Sequence, residues 1–258
     1  MLNINEIKKY YPYLQGFDVN ILREYLQYKI LDIIFKNKIG NKLSFIGGTA
    51  IKICYGSNRF SEDLDFDSFG LTKNEFIELA YDIKKELELN GYLVEITTTF
   101  KGAYRCNVKI SNLLQNNNLS VAKDEKILIQ IDVAPHDFIY QPKNFLLNKF
   151  DVFRSIKLTP ADVLLAMKVA AIFGRKRIKG RDFYDFVYLS GMSDFNYKYL
   201  NFKLKIDNGS KLKQELLKFI ENLDFNILVD DVKSFLINKD DEQRILLFKE
   251  YINQLNFK

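Results

Sequence analysis

The sequence predicts an α/β fold, a sheet flanked by helices and followed by a purely helical part, and two observations carry that expectation. Up to about residue 155, short apolar runs of strand length alternate with stretches whose apolar residues recur every three or four positions. From Thr159 onward only the helical period remains. An α/β domain over 1–155 and a helical domain over 156–258 are therefore expected.

The elements follow in order. Ile21, Leu22, Tyr25, Leu26, Ile30, Ile33 and Ile34 mark a helix from Ile21 to Lys38. Lys42 to Ile46 reads as a strand, Thr49 to Tyr55 as a helix opening after Gly47 and Gly48, and Leu64 to Phe66 as a second strand. Thr72 with Glu75 three residues on predicts a capping box for a helix to Asn90, closed by Gly91. Strands are expected at Tyr92 to Thr99, Tyr104 to Ile110 and Lys126 to Ala134, with a turn at Asn116 to Asn118. In the second half, Thr159 as cap and Pro160 as first residue open a helix to Phe173. Further helices are expected at Arg181 to Leu189, Lys211 to Leu223 and Asp240 to Leu255.

Composition narrows the class. The chain has 258 residues, 47% hydrophobic and 14% aromatic, which excludes a disordered chain and allows a sizeable core. No run approaches the roughly 20 consecutive apolar residues that cross a bilayer. The N-terminal MLNINEIKKYYPYLQG lacks a basic start followed by an apolar segment, so a cytoplasmic protein with no membrane partner is expected. With only Cys54 and Cys106, a disulfide framework or a four-cysteine zinc site is excluded, and both cysteines read as small buried hydrophobes. The net charge of +5 is compatible with a polyanionic partner such as RNA, and lysine enrichment of an AT-rich genome explains much of it equally well.

The chemistry concentrates in FIGGTAIKICYGSNRFSEDLDFD, Phe45 to Asp67. Strand alternation puts Asp63 and Asp65 on one face, with Leu64 and Phe66 on the other. Two close carboxylates repel unless a cation lies between them, and Mg²⁺, or Mn²⁺, prefers such oxygen ligands while keeping sites for substrate phosphates. Gly47 and Gly48 let backbone approach a phosphate at a helix start, where Thr49 adds a hydroxyl. A third carboxylate is expected on a neighbouring strand. Asp132 in ILIQIDV supplies it, in a setting too apolar for an aspartate without a partner, whether a metal or a buried Lys or Arg. Asp67 reads as a solvated neighbour, and His136, the single histidine, as an exposed loop residue without a role.

In the helical half, Lys168 is the only ionisable residue between Asp162 and Arg175, and a buried lysine needs an anion. A nucleotide phosphate is one candidate; Asp182 or Asp185 is another. Asp182 and Asp185 share a helix face, and Arg181 is spaced to pair with Asp185. The stretch Arg175 to Arg181 carries five basic residues in seven, read either as a phosphate or RNA contact or as a solvated charge run. Arg175, seven residues after Lys168, falls on the same helix side and is the expected phosphate ligand.

These motifs resemble the nucleotidyltransferase superfamily of the DNA polymerase β type, with its GG turn, helix, D-x-D strand and later strand carboxylate. More narrowly, Gly47, Gly48, Thr49, Ala50, Gly56, Arg59, Ser61, Asp63, Leu64 and Asp65 resemble, in order, the AbiEii toxin family, which includes the MenT toxins. Lys168 followed by Arg181-Asp182-Phe183-Tyr184-Asp185 continues the pattern. The resemblance spans Phe45 to Leu189. It implies a mixed sheet packed against a helical part that contributes Lys168 and at least one of Asp182 and Asp185 to catalysis. It adds Arg59 and Ser61 to Gly47, Gly48, Thr49, Lys168 and Arg175 as nucleotide-binding residues, and it implies an NTP substrate, a tRNA 3′ end as acceptor and a partner antitoxin. A small hydroxyl acceptor, as in antibiotic nucleotidyltransferases, is the alternative within enzymes. A non-catalytic nucleotide-binding module is the alternative outside them.

Overall fold

The computed structural model describes residues 2–122 and 125–258. The chain forms two compact units. One comprises 1–55 and 60–158, the other 56–59 and 159–258, so a four-residue segment before the D-x-D strand belongs to the helical unit.

In the first unit, α1 (Ile4–Lys8) precedes the long α2 (Asp18–Lys36). Strand β1 (Leu43–Ile46) runs into α3 (Gly47–Tyr55), and β2 (Leu64–Ser68) runs back antiparallel to β1. Helix α4 (Lys73–Leu89) starts with the expected capping box between Thr72 and Glu75, and Gly91 just beyond its end has φ +85°. Strands β3 (Leu93–Thr99) and β4 (Tyr104–Ser111) are joined through the short α5 (Leu113–Asn116) to β5 (Ile127–Pro135). Strands β6 (Lys143–Lys149) and β7 (Val152–Leu158) complete a mixed seven-stranded sheet in the order β3-β4-β5-β2-β1-β7-β6.

Helices α2 and α4 pack on one sheet face. That face takes Ile127, Ile129, Ile131 and Val133 of β5, all at most 1% exposed, and Phe66 of β2, whose ring centroid is 6.2 Å from that of Phe35 on α2. Alternation then turns Asp63, Asp65 and Asp67, together with Gln130 and Asp132, to the opposite face.

The second unit contains α6 (Ala161–Gly174), α7 (Gly180–Ser190), α8 (Tyr197–Leu204) and α9 (Gly209–Phe219), followed by α10 (Phe225–Asp230), α11 (Gln243–Leu246) and α12 (Phe248–Gln254). Gly180 lets α7 close on α10, because a Cβ there would overlap the Leu228 carbonyl, its carbon lying at 2.7 Å. The 56–59 segment is tied in by a bridge between Arg59 and Leu236 and by Ile237 N–H donating to Asn58 O at 3.0 Å.

Four local expectations are corrected. The β6–β7 hairpin occupies a stretch to which the sequence assigns no element, because exposed Phe153 and the polar Lys, Asn and Arg residues dilute its period-2 pattern. Pro160 is the N-cap of α6 and makes no side-chain cap, while Thr159 is fully buried. Asn116 ends a short helix as well as opening the turn. The helix expected from Asp240 to Leu255 is broken into a 3₁₀ turn, α11 and α12; Phe248, at the α11–α12 break, packs on Phe183 and Phe186 at 4.8 and 5.2 Å.

Candidate active site

In the sheet unit the two strands that carry the carboxylates are parallel neighbours, and Asp65 is the register partner of Asp132. Parallel strands lie about 4.8 Å apart, so their side chains on one face are adjacent. Asp63 precedes β2 by one residue and Asp65 pairs across to Ile46, directly before the glycines.

Gly47 has φ +77°, which favours glycine, and a Cβ on it would meet the Asp65 side chain, with Cβ and Cγ at 2.9 Å and Oδ2 closer still. The glycine is thus required by the carboxylate as much as by the turn. Gly47→Ala is expected to cost about 1–2 kcal/mol for the left-handed backbone alone and to displace Asp65. A urea titration together with an activity assay checks both. Gly48, half-buried, follows it in the first turn of α3.

Thr49 differs from its expected role as a phosphate-facing hydroxyl. Its side chain is fully buried and its hydroxyl donates to the Asp63 carbonyl, so it fastens α3 to the entrance of β2. Asp67 is likewise not solvated: it is 4% exposed, accepts from Tyr140 OH at 2.7 Å and has His136 Nδ1 at 2.9 Å. His136 is correspondingly enclosed rather than a surface loop residue, against Phe69, Phe138 and Tyr140. Ser61 offers its carbonyl to Gln27 Nε2.

Asp132 is held by a residue the motifs do not mark. Arg105 on β4, its register partner, donates through Nε to Oδ1 at 2.7 Å and through Nη2 to Oδ2 at 3.0 Å, and Gln130 adds a bond to Oδ2 at 3.0 Å. These bonds to Asp132, with the charges of Asp132, Asp63 and Asp65, raise the Arg105 pKa. Asp132 makes the direct contact, and Asp63 and Asp65 add longer-range charge. Among the described residues no three His, Cys, Asp or Glu side chains stand in metal-holding geometry. Strand alternation still gives Asp63, Asp65 and Asp132 one sheet face, and carboxylate oxygens are the donors that a hard divalent cation takes.

In the helical unit, Lys168, 8% exposed, reaches Asp185 Oδ2 at 2.8 Å and Asp182 Oδ1 at 3.1 Å. Arg59 grips Asp185 with both Nε (2.7 Å) and Nη2 (2.6 Å), and Arg175 Nε meets Asp182 Oδ2 at 2.6 Å. The spacing that put Lys168 and Arg175 on one side is realised on Asp182. The pairing anticipated between Arg181 and Asp185 is replaced by Arg59, contributed by the 56–59 segment. Within the basic stretch Lys179 and Arg177 approach Asp231 at 2.9 and 3.8 Å, and Lys176 is exposed.

Burial alone would raise the Asp185 pKa, but Arg59 and Lys168 outweigh it and hold the carboxyl below its usual range. Burial works against the Arg59 charge as well, and Asp185 overcomes it, raising the guanidinium pKa. A carboxyl depressed in the folded state adds stability above its unfolded pKa, about 3.9, and that contribution is lost as pH falls towards the folded value. Urea unfolding of the wild type at pH 6, 4 and 3 is expected to show this loss; Asp185→Asn should flatten the dependence over the same window.

Comparisons with known proteins give the family and the fold. The family model for nucleotidyl transferase AbiEii toxins of type IV toxin–antitoxin systems matches residues 29–255. No curated protein matches by sequence. Among solved structures, the chain is similar to JHP933 of Helicobacter pylori, with 17% identity, 92% of each chain covered and a TM-score of 0.55. It is also similar to MenT4, a nucleotidyltransferase toxin of Mycobacterium tuberculosis, with 14% identity, 99% of this chain and 91% of that chain covered, and a TM-score of 0.58. At these identities the structural likeness concerns the fold.

Proposed function

Because the chain belongs to the AbiEii family of nucleotidyl transferase toxins of type IV toxin–antitoxin systems, we propose that it transfers an NMP from an NTP to an RNA 3′ end, with tRNA as acceptor. The observation that carries this reading is the register of Asp65 with Asp132 beside Asp63 on one sheet face. The acceptor hydroxyl oxygen bonds to the α-phosphorus and pyrophosphate leaves. Asp63, Asp65 and Asp132 would hold Mg²⁺ or Mn²⁺, which when bound stabilises the attacking and leaving oxygens. Asp132 accepts the acceptor hydroxyl proton. Backbone N–H groups of Gly47, Gly48 and Thr49 at the start of α3 orient the β and γ phosphates. Of the helical unit's residues, Lys168 and Arg175 are assigned to substrate phosphate, and Asp182 and Asp185 to holding those cations in place, with Arg59 fixing Asp185. Ser61 belongs to the same nucleotide-binding motif.

No helix among the described residues is long and apolar enough to cross a membrane, and the reaction needs none. A small antitoxin encoded beside the toxin gene is the expected partner. Incubation with Mg²⁺, each labelled NTP in turn and total tRNA tests the reading: label is expected on RNA with at least one NTP. Labelling of a small hydroxyl compound instead would select the antibiotic-type alternative. Nucleotide binding without label on any acceptor would reject transfer.

A further inference from the structure

Arg105 is a cation that the chain itself places on Asp132, one of the proposed metal carboxylates. It lies outside every motif that carries the family resemblance, in the strand YRCNVKI. Its fork engages both oxygens of Asp132, the geometry in which a guanidinium holds a carboxylate most firmly. A divalent cation takes the same oxygens. With both Asp132 oxygens engaged by the fork, a divalent cation and the guanidinium compete for them, and their mutual repulsion weakens the binding of each.

The Arg105 side chain is also free to leave. It is 46% exposed, on the sheet face opposite α2 and α4, whereas Arg59, which grips Asp185 with a similar fork, is 3% exposed and enclosed. Asp132 is not abandoned when Arg105 departs, because Gln130 still donates to Oδ2.

We propose that Arg105 is a resident counter-ion of the metal site, which neutralises Asp132 in the metal-free protein and is exchanged for the divalent cation. The proposal rests on the metal reading given under Proposed function. Free cation then binds weakly, since it must first displace Arg105, and a cation arriving with the triphosphate has an advantage because the phosphates offer the released guanidinium a new acceptor.

Titration of the full chain with Mn²⁺, without nucleotide and followed by the EPR signal of the free ion, tests the exchange. Arg105→Gln is expected to bind Mn²⁺ about tenfold more tightly than wild type, the competing charge having been removed. Arg105→Lys, which keeps a charge but loses the fork, is expected to fall between them. Thermal melting gives a second readout: in EDTA Arg105→Gln melts below wild type, because its carboxylates repel, and saturating Mg²⁺ closes the gap. Equal Mn²⁺ affinities in wild type and Arg105→Gln, with a melting deficit that Mg²⁺ leaves unchanged, would mean a structural ion pair and overturn the exchange alone. If neither protein binds Mn²⁺ and Asp65→Asn makes no difference, the metal reading fails and the exchange falls with it.

Discussion

Asp65→Asn is expected to lower NMP transfer by about a thousandfold without loss of the folded sheet. The substitution keeps the side-chain volume and removes one charge from the strand that pairs in register with Asp132. Because the amide keeps the side-chain shape, urea stability should stay within about 1 kcal/mol of wild type. Activity should fall because one of three anionic oxygen ligands becomes a neutral amide, and hard divalent cations bind carboxylates far better. Labelled-NMP incorporation and urea unfolding on the same preparation measure both sides. Retention of activity within tenfold of wild type would remove Asp65 from the chemistry and leave its contact with Gly47 a matter of packing alone.

How far the sequence leads depends on the range of the interaction. The D-x-D strand, the glycine turn, the Thr72–Glu75 box and the Asp132 strand are local patterns, each fixed by period or spacing within a few residues, and the structure has all of them. What is absent from the local pattern is the identity of partners distant in sequence. Asp67 reads as solvated because its donor Tyr140 lies 73 residues away, and Asp185 reads as paired with Arg181 because Arg59 lies 126 residues away. Arg105 was closer to legible. Alternation in YRCNVKI gives Arg105, Asn107 and Lys109 one face, and antiparallel pairing with the Asp132 strand would have brought that face to the carboxylates. Only the register, which a single sequence does not specify, was missing. The β6–β7 hairpin went unread for a different reason: a strand with apolar residues exposed on its outer face carries too little contrast between inside and outside.

The charge cluster of the helical unit separates structural from functional roles by subtraction. It holds three cations, Arg59, Lys168 and Arg175, and two anions, Asp182 and Asp185. Removing Arg59 deprives fully buried Asp185 of its bidentate partner and leaves Lys168 shared between two carboxylates, so Arg59→Met should cost about 3–5 kcal/mol of unfolding free energy. Removing Lys168 leaves Arg59 on Asp185 and Arg175 on Asp182, each anion still paired. Lys168→Met, whose straight side chain fills the same apolar surroundings, should therefore cost clearly less, about 1–2 kcal/mol. If Lys168 serves only the fold, activity should track those stabilities and Arg59→Met should be the more damaging change at a temperature where both variants are folded. The functional assignment predicts the reverse order: Lys168→Met loses about a hundredfold or more of NMP transfer while remaining the more stable of the two. Urea midpoints and initial rates on the two variants decide between them. A Lys168→Met protein that is stable and active would make the lysine a neutralising charge in a structural cluster and leave substrate phosphate to the exposed Arg175.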